Sequence, residues 1–154
     1  MSLFALILVL FAALHLAPLR RLRPFETTRD RAAAAIAVAL LLAGSMHFTN
    51  PARFEAMMPP WIPAHREMIS ASGLFEILGA VGLFFRRTRK PAAWGLIALL
   101  ACVFPANLYV AMEGKTVEGL TDARWYYWLR LPFQLVFIVW LAWAAELQTH
   151  TSAR

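Results

Sequence analysis

The sequence has a single cysteine, Cys102, set within an apolar run. One thiol excludes an intramolecular disulfide, a CxxC redox pair and any metal site built from several cysteines. Redox chemistry here would need another electron carrier. Acidic residues are scarce, nine against 15 Lys and Arg, and charged residues of both signs make up only 16% of the chain. They sit in clusters rather than along amphipathic faces. There is no Gly-rich phosphate loop, and no nucleophile has an evident partner base. The net charge of +6 could suggest nucleic acid, but the basic residues flank apolar runs. They read instead as topology determinants beside anionic lipid, so nucleic acid is not an expected partner.

What fills the chain is apolar: 60% of its 154 residues are hydrophobic, with a mean hydropathy of +0.58. Five apolar runs occupy residues 2–17, 32–48, 68–85, 92–112 and 125–145. The expected fold is all-α, a polytopic transmembrane helical bundle forming one domain over residues 1–154, with the lipid bilayer as its partner. The first run carries no basic side chain ahead of it, which favours a retained N-terminal helix over a cleaved signal peptide. At 16 residues it is short for a span,. Orientation follows from Lys and Arg. Residues 20, 21, 23, 29, 31, 86, 87, 89 and 90 fall in two alternate connections, against residues 53, 66, 115 and 124 in the other two. Nine against four predicts the N-terminus outside and the C-terminus in the cytoplasm,.

The connection at residues 49–67 is unusual. Four prolines between Pro51 and Pro63 remove backbone donors and disfavour helix before each ring, which predicts an irregular outer loop. Its apolar residues Phe54, Met57, Met58, Pro59, Pro60 and Trp61 form a candidate lid, folded over the mouth of a cavity between helices rather than anchored in lipid.

Polar residues at membrane depth are costly, so their levels matter. Counted from each helix's cytoplasmic end at about 1.5 Å per residue, His47 lies at ~22 Å, Asn107 at ~24 Å, Arg130 at ~22 Å, Gln134 at ~17 Å and Glu76 at ~14 Å. Four helices thus contribute to one layer, the candidate ligand-binding group, with Arg130 the expected partner of Glu76. Four of the five also have a plainer reading. Glu76 with Arg130 could simply fix helix register, Asn107 could be interhelical glue beside the Pro105 kink, and His47 could be an interfacial histidine. No metal site is expected: His47, His65 and Glu76 lack tight ligand spacing, and Arg130 would oppose a cation. Haem would need axial ligands that His15 and His47, near opposite faces, could not jointly supply.

The stretches GSMHFTNPARFEAMMPPWIP (44–63), SGLFEILGAVGLFFRRTRKPAAWGLIALLACVFPAN (72–107) and WLRLPFQ (128–134) resemble the DoxX and DoxX-like family of small integral membrane proteins. The resemblance implies a four-helix core over residues 32–146, with the N-terminal helix as an addition that brings the count to five. It also implies a bacterial plasma (inner) membrane location and an association with redox systems. No catalytic residue can be carried over from it. The resulting expectation is a redox-associated membrane protein, an accessory to a partner oxidoreductase. An outward-opening pocket would take a lipophilic molecule, with a quinone as the candidate and no resident cofactor evident. The alternative is a non-catalytic assembly or scaffold protein whose polar layer is structural.

Overall fold

The computed structural model describes residues 3–16, 25–114 and 123–147. Ser2, Ala17 and four basic residues of the orientation count, Arg20, Arg21, Arg23 and Lys115, lie outside the described residues. The described chain is helical with no strand: α1 (Leu3–Leu16), α2 (Thr28–Thr49), α3 (Pro51–Glu55), α4 (His65–Phe84), α5 (Arg86–Glu113) and α6 (Arg124–Ala144). Four of these, α2, α4, α5 and α6, are long and apolar enough to cross a membrane, whereas α1 has only 14 residues. Large apolar side chains such as Phe75, Leu78, Trp94, Trp128, Leu135 and Val139 face outward from α4, α5 and α6. That surface is compatible with contact to a bilayer. The chain is a membrane protein.

Helices α2 and α5 begin at least a full turn before their apolar runs, for different reasons. Thr27 caps α2: its hydroxyl accepts from the Asp30 backbone N–H, and the Asp30 carboxylate accepts from the Thr27 backbone N–H in return. This reciprocal pair starts the helix before the alanine block. The basic RRTRK segment is not a loop but the first turns of α5, separated from α4 by the single extended residue Phe85. Side chains of α5 complete the end of α4, since Thr88 Oγ1 donates to the Gly82 carbonyl at 2.8 Å and Arg89 Nε to that of Leu83 at 3.0 Å. Carbonyls left without helical donors are thereby satisfied.

Helix α2 runs through the middle of the bundle, packed by α1, α3, α4 and α6. Its Ala32, Ala33, Ala35, Ile36, Ala37 and Ala39 are fully buried, beside Ile7, Ala80, Leu83 and Leu141. Because α2 is apolar all round from Ala32 to Leu40, that stretch can be enclosed, while Leu42, Met46 and Phe48 beyond it are exposed,. Its backbone comes closest to α4 at Gly44 and Gly73, where a Cβ on Gly73 would stand only 2.6 Å from His47 Cβ. Small residues permit this approach, as is usual between membrane helices.

The two ends of the bundle differ in kind. At one end Asp30 is buried between Arg86 and Arg89, and Arg29 pairs with Glu146 at 3.3 Å while lying over Trp143. At the other end α3 and the residues after it cross over the bundle. Pro59 and Met57 are buried, Met57 packing with Val110, Ala111 and Tyr127. His65 Nε2 lies 3.0 Å from the Pro59 carbonyl and so donates to it. The expected irregular loop is therefore an ordered strap that includes a short helix, which Pro51 is able to start because its missing N–H would have no partner in a first turn,.

Candidate functional site

The expected polar residues do meet inside the bundle, but as two clusters rather than one. The first joins α2 to α4. His47 is buried, and its Nδ1 lies 3.0 Å from the Ile69 carbonyl. A carbonyl only accepts, so Nδ1 carries the proton and Nε2 is left facing Glu76 Oε2 at 3.6 Å,. That carboxylate oxygen is itself buried with no hydrogen bond, as is Ser72 Oγ one turn earlier on α4. Phe54 of the strap stacks on the imidazole face at 3.8 Å between ring centres.

The second cluster joins α5 to α6. Arg130 Nη2 donates to Asn107 Oδ1 at 3.2 Å, Asn107 Nδ2 donates to Gln134 Oε1 at 3.1 Å, and Gln134 Nε2 donates to the Leu100 carbonyl. Chemistry fixes the direction of this chain. A guanidinium can only donate and a carbonyl can only accept, so both amides have one allowed orientation. Arg130 and Gln134 share a face of α6 because they are four residues apart. The Leu100 carbonyl that Gln134 reaches is beside the one at Ala101 that Pro105 deprives of its usual donor,.

The expected Glu76–Arg130 pair does not form. Glu76 has His47 as its ionic neighbour, and among the described residues no carboxylate lies within ion-pair distance of Arg130. Helix packing accounts for the difference: Glu76 lies on the α4 face turned to α2, and Arg130 is held on α6 against α5. Membership of one layer counted from sequence did not imply a shared side.

The lid also divides. Phe54, Met57 and Pro59 turn inward, Met58 is half-buried, and Pro60 and Trp61 turn outward. Trp61 is 68% exposed and rests edge-on against Tyr109. The inner cover of His47 is therefore Phe54, not Trp61. Sequence reading missed the Asp30 clasp altogether, along with Tyr109 and Tyr127 beneath the strap; the Thr27-x-x-Asp30 capping signal could have found the first of these. Among the described residues no group of three or more His, Cys, Asp and Glu could hold a metal.

Two grooves are lined by apolar residues and by no member of either cluster, one along α6 at Leu135, Val139 and Trp143, the other between α4 and α5 at Leu78, Gly79 and Gly95. No curated protein and no solved structure matches the chain. A family model does, across residues 36–146, a segment that begins inside α2 and contains both polar clusters and the strap, and the chain accordingly belongs to the family described as Domain of unknown function (DUF8561).

Proposed function

We propose that this protein binds the polar head group of a lipophilic molecule between α5 and α6, at Arg130, and serves as a membrane partner of an oxidoreductase, with a quinone as the molecule bound. The observation that carries this reading is Arg130, a half-buried guanidinium placed by Asn107 Oδ1 without a carboxylate among the described residues. A guanidinium has five N–H donors and Asn107 engages one nitrogen,. The remaining donors suit the carbonyl oxygens of a quinone or an anionic head group, while Tyr109, Tyr126, Tyr127 and Met57 supply apolar cover nearby,. Electrons would come from the partner protein.

The proposal includes a topology: α1 crosses with the other four, the N-terminus is outside, and the strap faces out from a bacterial plasma membrane, with the Asp30 end in the cytoplasm. The alternation of basic residues supports this arrangement. Lys90→Cys and Asn50→Cys, each in a Cys102→Ser background, then label from opposite faces of the membrane with an impermeant maleimide. Labelling of both from one face would overturn it.

Binding is tested by the thermal shift of purified protein on adding a short-chain benzoquinone. The wild type is stabilised. Arg130→Gln loses a charge-assisted hydrogen bond of about 1.5–3 kcal/mol, so its affinity falls roughly 10–100-fold. An equal shift in both proteins would rule out Arg130 as the anchor. A second reading, a scaffold whose polar chain only fixes packing, is favoured by the closure of the Arg130–Asn107–Gln134 chain on the Leu100 carbonyl. It predicts no quinone shift in either protein.

A further inference from the structure

The polar cluster between α2 and α4 has a feature that head-group binding does not use. His47 Nε2 and Glu76 Oε2 face each other at 3.6 Å, and neither accepts or donates a hydrogen bond elsewhere. With Nδ1–H committed to the Ile69 carbonyl, a neutral imidazole offers a bare lone pair at Nε2,. Were Glu76 also ionised, the Nε2 lone pair would oppose a buried carboxylate oxygen, Oε2, with no hydrogen-bond donor to either atom. One added proton resolves this in both of its positions. On Oε2 it makes a carboxylic acid that donates to Nε2 once the two atoms close from 3.6 Å to hydrogen-bond distance; on Nε2 it makes an imidazolium paired with a carboxylate,. Moving it breaks one O–H bond and forms one N–H bond, so only charge placement changes. The Phe54 ring on the imidazole face favours the imidazolium form as well, through cation–π attraction,.

We propose that His47 and Glu76 form a buried one-proton site between α2 and α4, closed by Phe54 at the strap end of the bundle. This inference stands apart from the quinone reading. The surrounding charges leave the pair to itself. On α3 these are Arg53 and Glu55, on α4 His65, Arg66 and Glu67, on α5 Glu113, and on α6 Arg124 and Arg130; among the described residues none is within ion-pair distance of His47 or Glu76. His15 belongs to the last turn of α1 and bonds the Phe11 carbonyl. Ser72 Oγ, buried without a hydrogen bond on the same α4 face, is the nearest further hydroxyl by sequence, one turn from Glu76.

The test is a pH titration of the intact protein in lipid vesicles. Infrared difference spectra follow the carboxylic acid band and nitrogen-15 resonance follows His47 Nε2. A shared proton makes the two curves show common midpoints, because strongly coupled groups titrate as a pair. Glu76→Gln removes the carboxyl band and moves the histidine midpoint by at least about one pH unit, a tenfold change in proton affinity. Separate wild-type midpoints, or a histidine curve unmoved in Glu76→Gln, would overturn the site. The wild-type comparison decides even if the variant does not fold.

Discussion

Asp30→Ala is expected to lower the stability of the bundle by about 3–5 kcal/mol, the cost of leaving buried charge without its partner. The Asp30 side chain is only 2% exposed, and its two oxygens take 2.7 Å bonds from Arg86 and Arg89. Thr27 Oγ1 adds a third bond at 2.8 Å. Removing the carboxylate therefore strands the buried Arg89, removes half of the capping box of α2 and releases α5 from α2 in one change. The two arginines differ in weight. Arg89 is buried and also holds the Leu83 carbonyl, so Arg89→Gln should cost nearly as much as Asp30→Ala. Arg86 is 60% exposed, and Arg86→Gln should cost far less than Arg89→Gln, as for a solvent-screened pair. Unfolding of the purified variants by denaturing detergent measures this order. Equal losses at Arg86 and Arg89 would contradict it.

Gly73→Val should be the most damaging change in the membrane-spanning part of the bundle. A Cβ alone at Gly73 would lie 2.6 Å from His47 Cβ and 3.0 Å from the Gly44 carbonyl oxygen. Neither atom can swing aside, since one is backbone and the other is the first side-chain atom. Valine adds two further carbons at that point, so α2 and α4 must separate, at a cost of about 3 kcal/mol or more. The separation would also pull His47 from the Ile69 carbonyl. Gly95→Ala is the control: nothing lies within 4 Å of its added Cβ, and alanine's better helix propensity predicts a gain of up to about 1 kcal/mol. The same detergent unfolding reads both variants. A Gly73→Val protein as stable as the wild type would mean that the two helices do not approach as described.

Much of this architecture is legible in the sequence because membrane helices declare themselves by long apolar runs. The helix type of all five runs follows from that property, and so do the residues that make the polar layer. Two kinds of information were not legible. The first is angular: depth along a helix can be counted from sequence, but which neighbour a residue faces depends on packing. Glu76 and Arg130 were expected to meet and yet turn to different partners. The second lies at the helix ends, where Arg29, Arg31, Arg86 and Arg89 read as loop charges. The Thr27 and Asp30 capping pair extends α2 through the first of these segments, and Arg89 becomes a buried partner of Asp30. The strap was half legible. Its prolines marked irregular backbone, and its apolar residues marked a cover, but proline spacing does not say that Met57 turns inward while Trp61 turns outward.

Arg130 is the residue on which the functional account rests, and mass spectrometry of the gently purified protein tests it most directly. The account predicts that wild-type protein carries a lipophilic molecule with a carbonyl-bearing or anionic head group, and that Arg130→Gln, purified identically and folded, loses it. Retention of the same molecule in the same amount by both proteins would contradict it.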